Sequence, residues 1–83
     1  MMRDPLSSVY LVEIVVSDPE KRIVKRRRTN TDAVTPDYVL DAVRRATQRL
    51  RYDHPLVETP RGYQFGTDAI WDVRVNVYTL LAP

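Results

Sequence analysis

The sequence predicts an α+β fold with elements in the order ββαβββ, a mainly antiparallel sheet with one amphipathic helix packed on one face. Three observations carry that expectation. Residues 9–16 and 70–81 are rich in β-branched and aromatic side chains, the second in clear alternation. Residues 36–51 repeat apolar side chains at helical spacing behind a strong start signal. Two proline-containing turns sit where hairpins would close. With 83 residues the chain is long enough for one compact domain, 1–83, of which residues 1–8 read as a flexible lead-in.

The first strand is Val9-Tyr10-Leu11-Val12-Glu13-Ile14-Val15-Val16, too short for a typical helix. It runs into Ser17-Asp18-Pro19-Glu20, where Asp and Pro at successive corners fit a type I turn. Lys21 to Thr29 reads as the returning strand, with Ile23 and Val24 its only apolar residues. A polar connector, Thr29 to Thr35, leads to Thr35-Pro36-Asp37. That triplet supplies a hydroxyl N-cap, a proline at the first helical position and an acid in the first turn. Val39, Val43, Ala46 and Leu50 then form the apolar stripe of a helix of about four turns. Pro55 limits it, so its end is expected near Arg51 or Tyr52. Leu56–Thr59 and Tyr63–Phe65 flank Pro60-Arg61-Gly62 as a second hairpin, and a turn over residues 66–69 precedes the last strand.

Both faces of the first strand are largely apolar. Tyr10, Val12, Ile14 and Val16 face one way; Val9, Leu11, Glu13 and Val15 face the other. Such a strand is expected to be central and covered on both sides, yet one helix covers one face only. Self-association through Val9, Leu11 and Val15, as a homodimer, is the expected cover; a curled sheet or a partner protein would serve as well. Trp71 lies on the cleaner face of the last strand and is assigned to the core, which leaves Tyr52 and Tyr63 as the exposed aromatics.

A modest net charge of +2 hides a steep polarity. Ten of the thirteen basic residues lie between Lys21 and Arg51, a segment with a formal charge of +7, while the rest of the chain carries −5. Asymmetry of this kind points to an acidic partner. The arginine-to-lysine ratio would suit bidentate oxyanion recognition, although a GC-rich genome explains it more cheaply.

The sharpest motif is Lys21-Arg22-Ile23-Val24-Lys25-Arg26-Arg27-Arg28. On a strand, Arg22, Arg26 and Arg28 project to one side and Lys21, Lys25 and Arg27 to the other. Charge on both faces excludes a central position, so an edge strand or a protruding ribbon is expected. Basic ribbons track phosphates or enter a groove of duplex nucleic acid. The plainer explanation is a charged edge that blocks sheet-to-sheet aggregation, but four consecutive bases exceed that need. Arg44, Arg45, Gln48, Arg49 and Arg51 would extend the positive surface along the helix. Taken alone they make an ordinary solvated face, with Asp41 positioned to pair with Arg44 and Arg45.

Other chemistries find little support. The chain has no cysteine, which excludes disulfides and thiolate metal sites. Two glycines cannot build a phosphate-binding loop. His54 is the only histidine and has no ligand or base partner at a characteristic spacing. Neither a catalytic centre, a cofactor nor a metal is expected. No signal peptide is read at residues 1–6, and the longest apolar run falls well short of the roughly 20 residues that span a bilayer. A cytoplasmic location with no membrane partner follows as the expectation.

The reading is therefore a non-enzymatic binding module whose basic strand and helix bind a polyanion, nucleic acid first. No aromatic residue falls inside the basic run, which argues against base stacking of the RNA-recognition type. The alternative is a small inhibitor or adaptor, of the sort a phage encodes, docking on an acidic host protein surface. Structural assembly through the apolar sheet face is a third class.

Overall fold

A computed structural model describes residues 9–50, 54–66 and 70–79. The elements are β1 (Tyr10–Ser17), β2 (Ile23–Thr31), α1 (Pro36–Thr47), β3 (Leu56–Thr59), β4 (Gly62–Phe65) and β5 (Trp71–Thr79). They form one five-stranded sheet in the order β2-β1-β5-β4-β3, every neighbouring pair antiparallel. The ββαβββ order and the α+β class are those the sequence predicts.

Alternation along β1 decides what is inside. Val12, Ile14 and Val16 point to the helix and are almost fully buried, with Val73 and Phe65 beside them and Ala42, Val43 and Ala46 above. Fully burying a valine or isoleucine contributes about 1.5–3 kcal/mol, so these few residues dominate the stability of a small domain. Trp71 packs against the same cluster and stacks on Phe65, ring centroids 5.8 Å apart. Tyr63 also packs there, whereas Tyr78 stands exposed on the opposite sheet face. The expectation for Tyr63 is thus corrected. Its register opposite Val73 turns it inward.

The helix starts as its sequence requires. Thr35 Oγ1 accepts a 3.1 Å hydrogen bond from Tyr38 N, and Pro36 opens the first turn. It packs over β1 and β2, which sets it beside the basic strand. It ends earlier than expected. Thr47 Oγ1 bonds back to the Val43 carbonyl at 2.8 Å, Gln48 leaves helical geometry at ψ 131, and Arg49 turns left-handed at φ 73. A β-branched hydroxyl residue that competes for backbone carbonyls is a poor continuation of a helix. Arg49 thus lies past the helix end, and Arg51 and Tyr52 lie outside the described residues.

The first hairpin closes where its turn residues predict, but the returning strand begins two residues later than the expected Lys21. Lys21 N donates to the Asp18 carbonyl at 2.8 Å, and Lys21 itself takes φ 69, a left-handed residue that returns the chain to the ladder. Asp18 Oδ1 accepts from the backbone of Glu20 and Arg22, and Oδ2 accepts from Arg22 Nε. Lys21 and Arg22 are therefore turn residues, and β2 runs from Ile23 to Thr31, taking in the start of the expected connector. It pairs with β1 almost end to end and is an edge strand, not a protruding ribbon.

Gly62 sets the second hairpin against the sheet. Its φ is +151, and a Cβ built there would overlap the Val73 carbonyl oxygen and stand 3.0 Å from Val75 N. Only a residue without a side chain permits this approach of β4 to β5. Arg61 then extends its carbonyl to Val75 N at 3.1 Å.

The sheet face turned away from α1 is mixed in character. Leu11 lies between Asn30 and Tyr78, Glu13 between Arg28 and Asn76, and Val15 between Arg26 and Arg74. Val15 and Glu13 are buried there, Leu11 and Val9 half-buried, and no helix or strand among the described residues packs over them. β1 is central, as its apolar faces predict.

Candidate nucleic-acid interface

Strand alternation divides the basic run between two surfaces. Ladder partners share a face, so Lys25 and Arg27, opposite Val16 and Ile14, lie on the helix side. Arg26 and Arg28, opposite Val15 and Glu13, lie on the open side. The expected opposition of Arg27 to Arg26 and Arg28 is found in the structure. Lys21 and Arg22, as turn residues, belong to neither row.

On the open side the two cations of β2, Arg26 and Arg28, are occupied internally. Arg28 Nε donates to Glu13 Oε2 at 2.8 Å, Arg26 Nε approaches the same oxygen at 3.5 Å, and Asn76 Nδ2 donates to Oε1 at 3.1 Å. Glu13 is only 6% exposed, and this clamp satisfies a carboxylate that would otherwise be costly to bury. The hydrogen bonds from Arg28 and then Asn76 hold its carboxyl below the ordinary 4.5, against the opposing effect of burial, with the charges of Arg28 and Arg26 adding to the shift. Arg22 is likewise engaged, with Asp18 at 3.0 Å and Glu20 at 2.7 Å.

On the helix side the cations converge. The stripe of α1 that overlooks β2 carries Tyr38, Asp41, Ala42 and Arg45, one helical turn apart in pairs, and faces Arg27 and Thr29 of the strand. Together these residues line a shallow cleft of about 180 Å³. Thr29 Oγ1 and Tyr38 Oη are 2.7 Å apart and share one hydrogen bond. Arg45 Nε donates to Asp41 at 2.9 Å, the i,i+4 pair foreseen in the sequence. Arg27 Nε is buried and has no hydrogen-bond partner. Arg44 is exposed in the last helical turn, with Gln48 at the C-cap and Arg49 just beyond it.

A second concavity lies on the open side near the first hairpin turn. It encloses about 680 Å³ between exposed Ile23 and Ile70, with Val15 and Ser17 as its floor and Arg61, Arg74 and Asp72 on its rim. Sequence reading does not assemble it, because Arg61, Arg74 and Ile70 come from separate elements. Glu13 is the one member of the open face that carries a local signal: a carboxylate within an apolar strand requires a partner, and the neighbouring strand is basic.

Among the described residues there is no group of three or more His, Asp or Glu side chains arranged to hold a metal ion, and no helix is long and apolar enough to cross a membrane. No protein-family model, curated protein or solved structure matches the chain.

Proposed function

We propose that the chain is a small binding module that holds a polyanion, nucleic acid first, along the edge where β2 meets α1. The observation that carries this reading is the meeting of Arg27 and Arg45 at one cleft; Lys25 lies on the same face of β2, and Arg44 and Arg49 are exposed near the end of α1. Two cations lining one cleft repel each other, an effect that Asp41 offsets in part, and an anionic ligand relieves the remainder. Counterions released from the nucleic acid supply the remaining driving force. The arrangement reads charge and spacing along a backbone rather than base edges.

Fluorescence anisotropy with duplex and single-stranded DNA probes, titrated with salt, tests this. If the five bases all touch phosphates of a duplex, log K falls with log salt at a slope of about −4.5. Absence of binding to either probe at low salt rejects the reading.

A second reading is a protein partner docking on the open side. The groove between Ile23 and Ile70 favours it, since paired exposed β-branched side chains with a charged rim suit an extended peptide better than a phosphate backbone. Capture of partners from lysate with and without nuclease separates the two: nucleic-acid-dependent capture disappears on digestion, and direct protein docking persists.

A further inference from the structure

Resting on the reading just proposed, we infer that the cleft between β2 and α1 is a seat for a single phosphate oxyanion, held by the Arg27 fork rather than by charge alone. Three donor groups from two elements, β2 and α1, line the same small volume. Arg27 lines the cleft, and its Nε is buried with the N–H unpaired. A buried guanidinium donor left without a partner is costly, and an oxyanion in the cleft satisfies it by drawing the guanidinium round to face the ligand. Arg45 approaches from α1; its bond to Asp41 uses one N–H of the five that a guanidinium carries. The Thr29–Tyr38 hydroxyl pair is the third donor. One bond between two hydroxyls consumes one of their two protons, so the other remains to be donated.

The shape of the donor set selects phosphate. Donors from the strand, the helix and the hydroxyl pair that joins the two line the same volume of about 180 Å³. A tetrahedral oxyanion presents oxygens toward all of them, whereas a planar carboxylate meets donors lying in one plane. Asp41 on the rim tempers the field, so the site requires hydrogen bonds as well as charge. Lysine in place of Arg27 retains the charge, but it is a point cation that lacks the planar fork. This distinguishes a seat from a diffuse positive stripe.

The same chemistry is offered by free phosphate and by the phosphodiester of a nucleic acid, and the test has an arm for each. In the full chain, the Arg Nε–Hε resonances are followed by ¹⁵N NMR during titration with inorganic phosphate, acetate and a short DNA duplex. The seat requires a saturable shift of the Arg27 resonance with phosphate and with duplex, and a much weaker response to acetate. It also requires Arg27→Lys to weaken duplex binding roughly tenfold, while Arg28→Lys on the open side stays close to wild type.

A response to phosphate without duplex binding supports the seat for a free anion and rejects the proposed function. Duplex binding with an unmoved Arg27 resonance, or with Arg27→Lys indistinguishable from wild type, overturns the seat and leaves the polyanion reading standing. An equal response to acetate overturns the preference for phosphate and points to a protein carboxylate. The titration of the wild-type chain decides the matter even if the variant folds poorly.

Discussion

Arg28 donates from Nε to the Glu13 carboxylate at 2.8 Å across the β1–β2 ladder, and this bond splits a run of four bases into two populations. Arg26 and Arg28 are committed to a buried carboxylate, while Lys25 and Arg27 lie on the helix side, where Arg27 shares a cleft with Arg45. The run looks uniform in sequence, and the period of the strand makes it two-sided in space.

Stability should depend on acid through Glu13. Its carboxyl is held below 4.5 in the folded chain, chiefly by the Arg28 hydrogen bond. A depressed carboxylate contributes stability that is fully present above its unfolded value and is lost as pH falls through the folded one. Thermal unfolding of wild type should therefore hold level above 4.5 and weaken progressively in more acid solution. Asp18, lowered mainly by the hydrogen bond from the Arg22 backbone, adds a share in the same direction. Glu13→Gln should be less stable near neutrality and show a shallower acid limb, the two curves drawing together at low pH. Parallel curves at every pH would show that the clamp contributes nothing through charge.

The two populations of arginine should separate functionally. Arg45→Ala removes a cation from the proposed interface and should reduce the salt slope of duplex binding by about one unit. Arg28→Ala, on the open side, should leave that slope unchanged while letting the Glu13 carboxyl rise toward its ordinary range. Anisotropy titrations on both variants, with acid unfolding as the second readout, check the contrast. Equal loss of binding from both would mean that the open face is the one that meets the ligand.

Gly62→Ala should destabilise the fold by more than about 1 kcal/mol, since an alanine there is strained at a positive φ and has no room. The Val73 carbonyl oxygen stands in the way, and it belongs to the strand at the centre of the β4–β5 pairing. Urea unfolding measures the loss. A change within about 0.5 kcal/mol, the range of an unconstrained surface site, would show that β4 can draw back from β5 without cost.

Local sequence determines a good deal of this protein. The period-two runs of β1 and β5, the Thr35-Pro36-Asp37 start of α1 and the Asp18-Pro19 corner each act over a few residues, so their outcome is legible without the fold. Charge on both faces of β2 likewise assigns it to an edge, because a central strand would have to bury one row of cations. The Asp41–Arg45 pair follows from helical spacing alone.

Tertiary structure decided the rest, because the decisive contacts join residues far apart in the chain. The need for glycine at position 62 arises from a neighbouring strand that a local turn motif does not mention. Which arginines are occupied and which face the cleft follows from the register of β2 on β1, and a slip of one residue would exchange the two sets. Composition and pattern established that this chain concentrates positive charge; only the packing of α1 over β1 and β2 brought Arg27 and Arg45 to a single cleft, because side chains eighteen positions apart meet only when helix and sheet bury their shared apolar face.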